Sequence, residues 1–354
     1  MLKGNRFKKG VLMLALLLLS AGSIVACGGG GGGGGGGTSA PAQQTSVLSA
    51  ANAPQAASSA MDSMSMVMGV PGALGSAIQP AKLFLVPAGA AAGQSVVATQ
   101  PVLRALVARA LSASRNATQD SAAADGSVSE PVACTTSGQL MVSGSWTGPN
   151  PPVTASQISN GTFNITAASC AEGGVTMNGS MEITFQGPLS APTSLTISAP
   201  SLTFSDSLDS LVMSSLTLAV TNIVEGASGL TDLTSATIIM NGSIRGTVSG
   251  TSVFLDANNF TIAFSTDVGG DETLTVSGTV EPSCLSGSIT YSTPTAIYVP
   301  SGATCPSSGE VLVSSGGNTT EVLFSNGQAG VYFNGALTNS YASCTNIQGL
   351  CMPQ

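Results

Sequence analysis

The chain has 354 residues, of which 43% are hydrophobic and only 7% are charged, and it contains no histidine. Catalysis by Ser-His-acid or Cys-His groups is therefore excluded. The formal net charge is −8, and Arg245 is the only cation from Pro131 to the C-terminus. We expect no nucleic-acid partner, because binding a polyphosphate requires clustered lysine and arginine.

The first 27 residues have the pattern of an export signal. Four cationic residues precede an apolar run over residues 11–19, which is too short to span a membrane as a helix. The tetrad Ile24-Val25-Ala26-Cys27 resembles the lipobox of signal-peptidase-II substrates, and this resemblance covers residues 1–27 alone. It implies that residues 1–26 are removed and that acyl chains on Cys27 attach the protein to a membrane. An ordinary secretory signal with an incidental cysteine is the alternative.

A glycine-rich stretch follows the lipobox, with ten consecutive glycines at residues 28–37. In Gram-negative lipoproteins an aspartate after the lipidated cysteine usually retains the protein in the inner membrane. Because Gly28 occupies that position, the resemblance implies outer-membrane sorting. We expect residues 27–60 to form a solvated tether, since they cannot bury enough apolar surface to offset the entropy of ordering.

Residues 61–130 are expected to be partly helical. An apolar stripe of helical period predicts a helix near residues 100–114, which we place on the concave face of a curved sheet. Glu130-Pro131 marks the boundary, because the residue before proline disfavours helix. The stripe consists of Leu103, Leu106, Val107, Ala110 and Leu111.

From residue 131 to 354 the pattern changes to alternation with period two, broken by Gly, Asn, Asp, Pro and Ser. We expect a mainly β domain of about a dozen strands, forming a curved antiparallel meander sheet or a barrel-like domain preceded by one or two N-terminal helices. A flat two-sheet sandwich is the alternative. A membrane-spanning barrel is disfavoured, because 10 Phe, 4 Tyr and 1 Trp are few for two aromatic girdles.

A Ser/Asn-Gly-Ser/Thr-apolar motif recurs six times. Asn-Gly usually forms a hairpin turn, but alternation continues on both sides of several copies. We therefore expect these glycines inside strands, where they bend the sheet or allow close approach of backbones. From Gly161 onward, spacings in multiples of nine residues suggest one strand and one turn per nine residues. The glycines are Gly144, Gly161, Gly179, Gly242, Gly278 and Gly287.

Six cysteines remain once Cys27 is assigned to lipid, and an even number in an exported protein predicts three disulfides. A zinc site is not expected, because the chain has neither Cys-x-x-Cys nor histidine. Pairing of nearest neighbours predicts the bonds Cys134–Cys170, Cys284–Cys305 and Cys344–Cys351.

No catalytic group is predicted. The chain has no Gly-x-Ser-x-Gly elbow, and Lys82, the only lysine after the signal, lies in no Ser-x-x-Lys motif. The carboxylate pairs Asp206 with Asp209 and Asp271 with Glu272 are formally available for glycoside cleavage. We do not expect it, because clefts that bind sugars are usually lined with Trp and Tyr.

The chain contains two weak metal candidates, but neither a metal nor another cofactor is expected. Asp267, Asp271 and Glu272 surround a glycine turn and offer oxygen ligands to calcium, although a solvated hairpin explains them. Four methionines at residues 61–68 offer thioethers to Cu(I), but three of them fall on one helical face.

Two classes of function remain. We favour a lipid-anchored, non-catalytic envelope protein whose β domain is a structural or interaction module, with an interior filled by its own helices. The alternative is a carrier with an unfilled interior that holds a lipid or other apolar ligand. In either case we expect a monomer, held to the membrane by Cys27, whose partner is an envelope protein or an apolar ligand.

Overall fold

The computed structural model describes residues 48–61, 125–134, 136–148, 158–172, 174–189, 191–206, 210–226, 229–248, 251–303 and 305–347. Within these residues the chain forms one α-helix, α1, at residues 53–61, fourteen strands and a short 3₁₀ turn at Cys344–Asn346. The strands are β1 (Asp125–Ala133), β2 (Ser137–Thr147), β3 (Ser159–Glu172), β4 (Val175–Pro188), β5 (Ser194–Ser205), β6 (Ser210–Gly226), β7 (Gly229–Val248), β8 (Thr251–Thr266), β9 (Glu272–Pro282), β10 (Ile289–Val299), β11 (Ser308–Ser315), β12 (Asn318–Ser325), β13 (Gln328–Phe333) and β14 (Ala336–Tyr341).

The strands form a single antiparallel meander in which each strand pairs with the next one along the chain. Among the described strands, β1 and β14 each have one neighbour, so the sheet is open. The prediction of an antiparallel meander sheet after an N-terminal helix is confirmed, and a two-sheet sandwich is wrong. The helix predicted at residues 100–114 lies outside the described residues.

Alternation along each strand gives the sheet a buried inner face. In β5, for example, Leu195, Ile197 and Ala199 are buried, whereas the residues between them are half-buried. Register then joins the apolar residues of successive strands into rows, as expected when one face of an antiparallel sheet covers the core. One row runs through Phe163, Ile183, Ile197, Leu218, Met240 and Phe260, each directly opposite the next.

A line of irregularities crosses the middle of the sheet from β3 to β9, and we call it the crease. Several of its members are residues at bulges, where an extra residue bends the strand and increases its twist. Strands of up to 20 residues are thereby bent rather than flat, which gives the sheet its curvature. The crease consists of Ser169, Gly179, Ser201, Ser215, Gly242, Asn259 and Gly278, from consecutive strands.

The Asn-Gly pairs of the recurring motif hold the crease together. Asn241 Oδ1 accepts a hydrogen bond of 2.7 Å from the backbone N–H of Asn259 at the bulge in β8. Gly242, with φ of +113°, faces the bulge in β6. A Cβ at this position would overlap Ser215 O and lie 2.6 Å from Leu216 Cα. Asn178-Gly179 repeats the arrangement, because Asn178 Oδ1 accepts a 2.8 Å hydrogen bond from Ser169 N.

The prediction that these glycines lie inside strands is confirmed for five of the six copies. Gly287 differs, since it lies in the connection between β9 and β10. The interpretation of the nine-residue spacing is wrong. Gly161 and Gly179 lie in adjacent strands of 14 residues each. One strand alone is therefore longer than the nine residues expected for a strand and its turn.

Helix α1 packs into the core, although the composition of residues 48–60 suggested a solvated tether. Asn52 and Ser49 bond reciprocally at its start, with Asn52 Oδ1 accepting from Ser49 N at 2.7 Å. Ser59 Oγ lies 2.7 Å from the hydroxyl of buried Tyr291 in β10, and Asn318 Nδ2 of β12 donates to Leu48 O at 3.0 Å. The helix face is made of the fully buried residues Ala53, Ala56, Ala57 and Ala60.

The tether prediction therefore fails at residues 48–60 for a physical reason. Alanine and serine bury little apolar surface each, but their small size lets a helix backbone lie close to a sheet. This segment is buried because it packs on β10 and β12, and amino-acid composition cannot predict such a tertiary contact.

Each described disulfide joins two segments that lie at the same end of the meander. Connections after odd-numbered strands lie at the end where α1 enters, which we call the helix end, and those after even-numbered strands lie at the far end. Cys134–Cys170 joins the β1–β2 connection to the end of β3, confirming that prediction. Cys305 bonds with Cys344, not with Cys284, so the predicted bonds Cys284–Cys305 and Cys344–Cys351 are wrong.

The topology explains this correction. Cys284 lies in the β9–β10 connection and Cys305 in the β10–β11 connection, so the 11 residues of β10 separate them. At about 3.3 Å per residue that strand is roughly 36 Å long when straight, far beyond the reach of a disulfide. Cys284 is itself disulfide-bonded.

Gly242→Ala tests the crease. Strain at positive φ and overlap with the β6 backbone should lower the free energy of unfolding by about 3 kcal/mol or more. Gly317→Ala is the matched control, because Gly317 also has a positive φ, of +84°, but a Cβ there meets nothing within 4 Å. We expect a cost of about 1 kcal/mol for the control. Urea unfolding of both variants makes the comparison, and equal losses would contradict the role given to the crease.

Peptide mapping without reduction tests the pairing. A linked peptide containing Cys305 and Cys344 is expected, because both lie at the far end of the sheet. Replacing both cysteines with serine should lower the free energy of unfolding by about 2–4 kcal/mol, since the bond closes a loop with a sequence separation of 39 residues. Recovery of a Cys284–Cys305 peptide would contradict the meander.

Candidate functional site

The structure describes only some of the residues singled out by the sequence. Cys27, Cys351, Lys82, Asp209, Met64, Met66 and Met68 lie outside the described residues. Asp206 follows β5 at the helix end of the sheet. Asp267, Asp271 and Glu272 lie together at the far end, in the turn from β8 to β9 and the first residue of β9.

Asp267 organises the β8–β9 turn. Its Oδ1 accepts a hydrogen bond of 3.0 Å from Asp271 N, and its carbonyl accepts another of 3.0 Å from Gly270 N. The backbone N–H of Asp267 donates to Asp271 O at 2.9 Å. Aspartate side chains that bond to nearby backbone N–H groups stabilise tight turns in this way. The Asp267 carboxylate therefore shapes the hairpin.

Asp271 connects this turn to the loop between β10 and β11. Ser301 N donates to Asp271 Oδ1 at 2.7 Å, and the Tyr298 hydroxyl donates to Oδ2. We call these three residues the Asp271 brace. The hydrogen bond from Tyr298, followed by that from Ser301, lowers the pKa of Asp271. The same bond raises the pKa of the Tyr298 hydroxyl, because the carboxylate favours the protonated phenol.

Two of the three weak calcium candidates, Asp267 and Asp271, are thus accounted for by protein hydrogen bonds. Both carboxylate oxygens of Asp271 have donors from the chain, while Glu272 is exposed at the start of β9. Across the part of the chain that the structure describes, no group of three or more His, Cys, Asp or Glu residues could hold a metal ion.

A second polar cluster lies on the outer face of β7 and β8. The Arg245 guanidinium lies 5.2 Å from the centre of the Phe254 ring, directly across the strand pair, and forms an ion pair with Asp256. Arg245 is exposed, so the ion pair contributes at most about 1 kcal/mol. Its arrangement presents a cation and an aromatic ring to solvent.

Sequence reasoning found Asp271 but missed its partners. Tyr298 and Ser301 lie 27 and 30 residues further along the chain, and no local motif connects them to the turn. The same holds for Phe254 and Asp256 beside Arg245. Only strand register places these side chains together, so the alternating pattern alone contains no signal for them.

Comparison with protein families, curated proteins and solved structures finds no match for this chain. In the described segments, no helix has both the length and the apolar character needed to cross a membrane.

The pH dependence of Asp271→Asn tests the brace. Because the folded-state pKa of Asp271 is lowered, its stabilisation is present above its unfolded pKa, about 3.9, and is lost as the pH falls through the folded-state pKa. The stability difference between wild type and variant should therefore be largest near neutral pH and disappear in strong acid. Urea unfolding between about pH 2 and 7 measures it.

Tyr298→Phe provides the control for this experiment, because it removes the first cause of the lowered pKa and keeps the ring. In that background Asp271→Asn should have a smaller effect on stability at neutral pH. A difference that does not change with pH would contradict the role of the carboxylate.

Proposed function

We propose that this chain is a lipid-anchored protein of the bacterial outer membrane whose β domain is a non-catalytic interaction module. The observation that carries this proposal is the burial of α1 on the inner face of the sheet. The remaining support comes from the resemblance of residues 24–27 to a lipobox and from the structural contacts of the carboxylates of Asp256, Asp267 and Asp271.

Helix α1 occupies the place where a carrier would hold its ligand. Ala56, Ala57 and Ala60 are fully buried in the same core cluster as Phe260 and Tyr291. The hydrogen bond between Ser59 and Tyr291 satisfies the polar groups at this contact and contributes about 1 kcal/mol. An interior covered by the protein's own helix favours a module over a carrier.

The described ionisable residues favour a non-catalytic role. Asp267 and Asp271 hold the far-end turn, and Asp256 is paired with Arg245. A general acid or base must be within reach of a substrate proton. Carboxylates that hold turns and strand pairs together are better suited to supporting the fold.

The lipid anchor is tested by metabolic labelling. Cells given an alkyne-modified palmitate should incorporate it into the wild-type chain, and Cys27→Ala should abolish labelling. Labelled protein should fractionate with the outer membrane, because Gly28 stands where inner-membrane lipoproteins have aspartate. Equal labelling of the two chains would contradict lipidation at Cys27.

Native mass spectrometry separates the module from the carrier. The chain from Gly28, exported with an ordinary secretory signal and purified without detergent, should give the bare mass of a monomer with its disulfides intact. A reproducible added mass of a few hundred daltons, lost on gentle activation, would instead favour a carrier for an apolar ligand.

A further inference from the structure

Exposed apolar side chains are concentrated at the far end of the sheet. Six large apolar residues are clearly exposed among the described residues, and four of them lie at this end. They come from β6, the β8–β9 turn, β10 and β12, that is, from every second strand near its C-terminal end. We call them the far-end row, which consists of Val224, Val268, Tyr298 and Leu323.

Local backbone geometry directs two of these side chains outward. In β6, Asn222 has φ of +53° at a register shift between Thr221 and Val224. As a result Ile223 packs on the core and Val224 is exposed. Val268 lies at the tip of the β8–β9 turn and is fully exposed.

The spacing of the row suits a protein interface. Neighbouring strands are about 4.8 Å apart, so members two strands apart are about 10 Å apart and the row extends for roughly 29 Å along the sheet. A standard interface covers about 800 Å² on each partner, which corresponds to a patch roughly 28 Å across.

The centre of the row is held in place before any partner binds. The Asp271 brace fixes Tyr298 and the β8–β9 turn relative to each other. The Cys305–Cys344 disulfide connects the β10–β11 loop to the segment after β14 at the same end. A surface that is already ordered loses less conformational entropy on binding.

Among the described residues, the charge around the row has one sign. Asp267, Asp271 and Glu272 flank Val268 and Tyr298, and Glu310 lies directly opposite Leu323. Arg245, the only cation among the described residues, is near the end of β7 at the helix end of the sheet. Such a surface repels anionic lipids and phosphorylated glycans and complements cationic groups.

We propose that the far-end row docks a second envelope protein whose contact surface has an apolar centre flanked by lysine or arginine. This inference rests on the proposed function as an interaction module and names its surface and the chemistry of its partner. Val268 inserts at the centre of the contact, and the surrounding carboxylates face the partner's cations.

Photo-cross-linking in the bacterium that makes the protein tests the proposal. Benzoylphenylalanine replaces Val268 in the full chain, and Leu337, an exposed residue of β14 at the helix end, is the matched control. We expect one discrete protein adduct from position 268 and none from position 337. Double substitution Glu272→Gln and Glu310→Gln, or 0.5 M salt, should reduce adduct yield by about threefold or more, because both weaken attraction to cations.

Each other outcome overturns the proposal. These outcomes are no adduct at position 268, or equal adducts at both positions. They also include an adduct of twice the chain mass and a lipid or glycan adduct. The last is an adduct yield that changes neither with the double substitution nor with salt. An intact Cys305–Cys344 bond in each variant shows that it has folded. If a protein adduct forms only at position 337, the interaction module stands and the far-end row is wrong. A bound apolar ligand in native mass spectrometry without any protein adduct would reject the module itself.

Discussion

The structure depends on the close approach of neighbouring backbones along the crease. Glycines at positive φ, such as Gly242 and Gly278, leave room for the bulges of the adjacent strands, while Asn241 satisfies an N–H group that a bulge removes from the regular ladder. Without these contacts, long strands would form a flatter sheet with less inner face to bury. Curvature of the sheet, and with it the place for α1, follows from this constraint.

The meander then divides the molecule into two ends with different roles. The helix end receives α1 through Asn318 and contains the Cys134–Cys170 bond. The far end contains the Asp271 brace and the Cys305–Cys344 bond. Because successive connections alternate between ends, residues close in sequence are often far apart, and residues some 30 positions apart meet. Chemical features concentrate at the ends, since the inner face is apolar and the positions between the buried residues are mostly small and polar, as with Ser194, Thr196 and Ser198 in β5.

Much of the fold could be predicted, but less of the candidate site. Period-two alternation after residue 131 predicted the antiparallel sheet, and continued alternation around Asn241-Gly242 predicted glycine inside a strand. Cys305–Cys344 was missed because sequence proximity is a poor guide to pairing in a meander. Tyr298 and Ser301 were missed because their contact with Asp271 depends on which hairpins share an end. Residues 48–60 were misassigned because a composition of small, weakly apolar residues predicts a solvated segment. In the structure, these small residues pack closely against the sheet.

The sequence by itself determined the alternation of faces, the placement of most motif glycines inside strands and the lack of histidine-based chemistry. These are local properties, since each depends on the conformational freedom or the functional group of one residue and its neighbours. Tertiary structure decided the pairing of cysteines, the partners of Asp271 and the burial of α1. Those depend on strand register and on which surfaces meet across the sheet, and such contacts join residues far apart in the chain.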